Sequence, residues 1–193
     1  MEPLCPPAGH DFGSAWAKGA ITMRHHEFAI EMPFAAARIW ALFQRYDLWK
    51  EYAPAVLDVE IVYAGDAHGN GLLRKIVYPL PFGRRGHSFE LVTNVQPNRG
   101  YDYLMLSTGL SGSVSLEPLA PNRTCIRFRE SFHLNTPVLR LFEGPIYRFI
   151  NKKNEESIRG AAAWLTAHPE FRADLRGDGL PASSSSPERR DGM

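Results

Sequence analysis

The chain has 193 residues, 44% of them hydrophobic and 22% charged, and a formal net charge of +1. Interspersed acids and bases leave no broad basic surface for a phosphate backbone, which argues against a nucleic-acid partner, and no apolar run approaches the roughly 18 residues of an integral membrane segment. Two cysteines, Cys5 and Cys125, make neither a disulfide framework nor a paired-cysteine metal motif, so a cytoplasmic protein without a metal or cofactor is expected.

Residues 1–22 contain Pro3, Pro6, Pro7, Gly9, Gly13 and Gly19 with no sustained period, and read as an N-terminal tail. Pattern begins after Met23, which could itself be the biological start. His25 to Met32 alternates as a strand, with Phe28, Ile30 and Met32 on one side, and Pro33 favours the first turn of a helix. Ile39, Trp40, Leu42 and Phe43 mark one short helix, and Leu48, Trp49 and Tyr52 a second that stops before Pro54. Strand-like runs follow at Val56 to Tyr63, Leu72 to Leu80, His87 to Val95, Gly100 to Ser107, Ser111 to Leu119 and Thr124 to Leu134. The connections between them are short, which favours antiparallel neighbours.

Thr136 to His168 then carries a helical apolar stripe that includes Leu139, Phe142, Ile146, Phe149, Ile150, Ile158, Ala161 and Leu165. Thr136-Pro137 is a plausible cap, and Gly144-Pro145 should kink or divide the helix. Residues 170–193, with four consecutive serines, cannot bury enough apolar area to offset ordering entropy and read as a disordered tail. One domain over 23–169 remains.

The order of these elements resembles the START-like helix-grip superfamily, which includes polyketide cyclase/dehydrase-like proteins. The resemblance is carried by Phe28-Ala29-Ile30-Glu31-Met32-Pro33 leading into Arg38-Ile39-Trp40-Ala41-Leu42-Phe43. Tyr52-Ala53-Pro54, Gly71-Leu72-Leu73-Arg74, Gly112-Ser113-Val114-Ser115-Leu116-Glu117-Pro118 and Asn122-Arg123-Thr124-Cys125-Ile126-Arg127-Phe128 also carry it. It implies an α+β fold: a seven-stranded curved antiparallel sheet around a long C-terminal helix, with two short helices between strands 1 and 2. It also implies a hydrophobic cavity, but no single chemistry.

Three polar residues stand at positions expected to face that cavity. Glu130 shares the parity of Ile126, Phe128 and Phe132, where desolvation would raise its proton affinity toward that of a general acid; a salt bridge or a bulge would remove it from that role. Arg74 shares the parity of Leu72, Ile76 and Tyr78 and could pair with Glu130 or with a ligand anion, or simply mark a solvated strand end. His87, in register with Phe89 and Leu91, could exchange protons near neutrality or serve only as a surface residue. The expected lining is Tyr78, Phe89, Tyr101, Tyr103, Met105, Phe128, Phe132, Phe142, Ile146 and Phe149.

Non-catalytic binding or carriage of a hydrophobic small molecule needs only such a pocket, and is favoured. The alternative is a cyclase, aromatase or dehydratase using Glu130, Arg74 or His87, which requires at least two of them to converge on one ligand. A third reading is protein interaction, including a homodimer, through an outer strip of Leu104 and Leu106. The Pro79-Leu80-Pro81-Phe82-Gly83-Arg84-Arg85 loop could touch a membrane surface or remain solvated.

Overall fold

The computed structural model describes residues 24–80, 83–132 and 143–172. Seven strands form one sheet: β1 (Arg24–Met32), β2 (Asp58–Tyr63), β3 (Leu73–Pro79), β4 (Arg85–Gln96), β5 (Gly100–Met105), β6 (Ser111–Ala120) and β7 (Arg123–Phe132). Every pairing is antiparallel, in the order β1-β7-β6-β5-β4-β3-β2. Strands β2 to β7 thus meander through short turns, and β1 closes onto β7, which makes β1 and β2 the edges.

Between β1 and β2 lie α1 (Ala36–Gln44), a single 3₁₀ turn at Tyr46–Leu48 and α2 (Trp49–Tyr52). Pro33 precedes α1 in a bend rather than opening it, because β1 runs to Met32 and the helix starts only at Ala36. The long helix α3 spans Glu143–Ala167. Gly144 and Pro145 therefore occupy its first turn, where a missing N–H forfeits no intrahelical bond. The expected cap at Thr136-Pro137 lies outside the described residues, as does Phe142.

One core joins sheet and helices. Ile39, Leu42 and Phe43 of α1, Val114 and Leu116 of β6, Ile126 and Phe128 of β7, and Ile158, Ala161 and Leu165 of α3 are all buried in it. Alternation explains the strand contributions, and the 3–4 spacing of Ile158, Ala161 and Leu165 explains that of the helix. The far end of α3 is fastened by α1: Arg38 donates from Nη2 to the carbonyls of Leu165 (3.1 Å) and His168 (2.8 Å), and from Nε to that of Phe171 (2.9 Å). A guanidinium there satisfies carbonyls that no helical N–H can reach. These elements are the expected helix grip, a curved sheet closed around one long helix.

Candidate functional site

A band of polar residues crosses the inner face of the sheet. Cross-strand register sets Arg74 of β3 opposite Glu90 of β4, and Tyr103 of β5 opposite Gly112 of β6; Gly112 is in turn opposite Glu130 of β7, and Glu130 opposite His26 of β1. Residues paired across antiparallel strands point to the same face. Arg74, Glu90, Tyr103 and Glu130 are all buried, with 2%, 5%, 7% and 4% of their surface exposed.

The band has two poles. At the first, Arg74 Nε donates to Glu90 Oε1 at 2.8 Å and Nη2 donates to the same oxygen, while the Tyr101 hydroxyl lies 3.5 Å from Nη2. Three rings surround the guanidinium, with centroids 4.2 Å (Trp49), 5.0 Å (Tyr46) and 5.6 Å (Tyr101) from Cζ. Burial pulls the Arg74 guanidinium toward neutrality, and Glu90, aided by Tyr101 and Tyr46, more than offsets it, so that Arg74 is held above its usual value and charged. A cleft lined in part by Gln44, Tyr46, His68 and Val95 reaches Arg74 and Tyr101; its volume of about 10 Å³ suits one water-sized group.

At the second pole, Glu130 is bonded to no cation among the described residues. The Tyr103 hydroxyl donates to Oε1 at 2.7 Å and Asn154 Nδ2 of α3 donates to Oε2 at 3.2 Å. Burial raises the Glu130 carboxyl from 4.5 to about 7; these two hydrogen bonds work against the rise, and the Glu90 charge adds to it. Tyr103 is pushed well above its usual range, chiefly by burial and then by the neighbouring Glu130. The pair is thus an acid near half-protonation at neutral pH beside a phenol that keeps its proton.

The structure redistributes the expected site residues. Glu130 and Arg74 both face inward but do not pair: Arg74 is taken by Glu90, which apolar patterning missed because Phe89 and Leu91 flank it. His87 does not join them. It is exposed on the outer face, edge-on to Phe89 with centroids 6.0 Å apart, because the register that turns Ser88 and Glu90 inward turns His87, Phe89 and Leu91 outward. Phe89 is therefore not a lining residue of the interior. Phe149, expected on the cavity wall, is 57% exposed. Tyr101, Tyr103 and Phe128 are buried inside, Met105 packs partly buried against the core, and the Tyr78 ring lies over Gly86 at the sheet margin. The side chains of Phe132 and Ile146 lie outside the described residues, as do Pro81 and Phe82 of the loop after β3. Leu104 and Leu106 are 39% and 53% exposed on the outer face. Asn154 and His26 were legible only by position: the first shares a helix face with Ile158, and the second has the parity of Phe28.

The architecture has solved counterparts. The Zhui aromatase/cyclase from Streptomyces sp. R1128 superposes with a TM-score of 0.67 at 14% identity, covering 76% of this chain and 96% of that one. A START superfamily protein from Mycobacterium smegmatis gives 0.57 at 17% identity over 76% of this chain and 97% of the other. The di-domain aromatase/cyclase StfQ of the steffimycin biosynthetic pathway gives 0.63 at 13% identity, over 77% of this chain and 52% of its own length. At such identities the likeness is one of fold. No curated protein matches the sequence. The family model described as polyketide cyclase / dehydrase and lipid transport matches residues 23–168, and the chain belongs to that family.

Proposed function

We propose that the interior of the grip binds a small hydrophobic molecule bearing oxygen functions, with Glu130, Tyr103 and Asn154 as its polar recognition group. The observation that carries this reading is the burial of Glu130 with no cation bonded to it among the described residues. Stability alone does not favour such a carboxylate, since an apolar residue in its place would incur no desolvation. A carboxyl near half-protonation can accept a ligand O–H or donate to a ligand carbonyl. The cleft beside Arg74 admits only a water-sized group, so a larger ligand is accommodated by moving side chains apart.

A second reading, proton transfer in a cyclisation or dehydration, is favoured by one observation: the Glu130 carboxyl lies at about 7, where acid and base catalysis are both served. Of the residues first expected to act together, Arg74 is neutralised by Glu90 and His87 is outside, which leaves Glu130 with Tyr103 for that chemistry. Native mass spectrometry of the full chain, followed by extraction of any co-purified compound, tests binding; Glu130→Gln separates the two readings. Unchanged affinity with lost turnover supports proton transfer, and changed affinity with no turnover in either protein supports carriage. Failure to bind any apolar compound rejects both.

A further inference from the structure

The inward stripe of α3 is polar in its first half and apolar in its second. Tyr147, Asn151 and Asn154 recur at helical spacing ahead of Ile158, Ala161 and Leu165. Asn154 bonds to Glu130, and the Tyr147 ring stands edge-on to His26 at 6.1 Å, so this half of the helix lies over the β1 and β7 end of the polar band. Two atoms there, His26 Nε2 and Asn151 Oδ1, are buried with no hydrogen-bond partner among the described residues. Atoms of this kind are costly to bury and call for a group that completes them. Burial holds His26 below its usual value, with Glu155 opposing, so its imidazole is neutral near pH 7 and can present a ring N–H. Among the described residues, Glu130 lies opposite His26 across the strands and Glu155, itself paired with Arg159, acts on the His26 ring; both are acidic groups that disfavour an anion here.

Resting on the binding reading above, we infer that His26, Asn151, Asn154 and Glu130 form a subsite for a neutral hydroxyl, the phenol or alcohol end of the ligand. Its O–H donates to Asn151 Oδ1 and its oxygen accepts from His26 Nε2, while Asn154 remains on Glu130. A carboxylate in the same place would meet an acceptor and two acidic side chains, and is rejected.

Three probes of one shape test this on the full chain by tryptophan-fluorescence titration: 2-naphthol, 2-methylnaphthalene and naphthalene-2-carboxylate. The expected result is that naphthol binds about tenfold or more tighter than methylnaphthalene, with the carboxylate weaker than naphthol. Asn151→Leu and His26→Phe should each erase the preference for naphthol and keep the affinity for methylnaphthalene. Their Tm should stay level or rise, because each removes an unpaired buried atom. Equal binding of naphthol and methylnaphthalene, tighter binding of the carboxylate, or a preference that survives both substitutions overturns the subsite and leaves the binding reading standing. A lower Tm in both variants marks the two residues as structural and also overturns it. If none of the three probes binds, the binding reading fails and the subsite with it.

Discussion

The Tyr103 hydroxyl reaches Glu130 Oε1, at 2.7 Å, by lying across Gly112 of the strand between them. A Cβ on residue 112 would stand 2.5 Å from the ring and hydroxyl of Tyr103 and 2.6 Å from the Arg129 carbonyl. Gly112→Ala should therefore displace Tyr103, leave Glu130 with only Asn154, and cost about 1–3 kcal/mol through overpacking. Tyr103→Phe removes the hydrogen bond without the clash, so when the two substitutions are combined the alanine retains only its backbone and ring clash. Urea unfolding of the two single variants and the double checks this: additive losses would show that residue 112 does not act through the tyrosine.

Glu130 makes stability depend on pH. Its carboxyl lies at about 7 when folded against an ordinary 4.5, so between those values the folded state holds a proton that the unfolded state has released. Stability is fully present below about pH 4.5, falls as pH rises, and levels off above about 7, a loss of at most about 3 kcal/mol. Glu130→Gln cannot ionise. Relative to wild type it should be near neutral at pH 5 and stabilising at pH 8, and a stability difference that is flat with pH in chemical denaturation would refute the assignment.

Much of the fold is legible in the sequence because strand alternation and turn residues are local signals. The strand runs lie within about two residues of β1 to β7 at most of their ends. The inner face of β4 was not legible by hydrophobicity: Phe89 and Leu91 turn outward, and Ser88 and Glu90 turn inward. The strand register holds the information instead, since the pairing that runs from Leu73 opposite Leu91 to Pro79 opposite Arg85 sets Arg74 against Glu90. The same preference for apolar side chains placed Phe149 on the wall, whereas α3 turns Tyr147, Asn151 and Asn154 toward the sheet. A buried polar face runs against the rule that apolar residues lie inside, and reading it requires knowing which groups complete one another.

The Arg74–Glu90 pair should behave as a unit. Both side chains are almost fully buried, at 2% and 7% exposure. Removing one member strands a buried charge, so Arg74→Met or Glu90→Leu alone should cost about 3–5 kcal/mol. The double substitution leaves neither charge and should recover most of that loss, although Trp49 and Tyr46 lose the cation they enclose. A double-mutant cycle by thermal unfolding reads the coupling directly. Coupling near zero would mean that Arg74 is held by its aromatic cage and that Glu90 is incidental.

The seat of α3 on α2 depends on Gly160. A Cβ there would collide with the Tyr52 carbonyl, a backbone atom at the end of α2 that cannot rotate away. Gly160→Ala gains intrinsic helix propensity of about 1 kcal/mol, which in an exposed helix would stabilise it. Here the gain must compete with lifting the helix off its neighbour, and with neighbouring Ala161, Ile158 and Leu165 in the core such a shift exposes apolar area. Overpacking of this kind costs about 1–3 kcal/mol or more, so the net change should be destabilising, with Tm lowered by several degrees. Gly160→Leu should be worse, whereas Ala163→Leu at an exposed position of the same helix, which costs only a few tenths of a kcal/mol or so of helix propensity, should leave Tm nearly unchanged. If Gly160→Ala raised Tm instead, α3 would be free to move away from α2 at little cost, and the grip would be a looser clasp than the close approach of these two backbones implies.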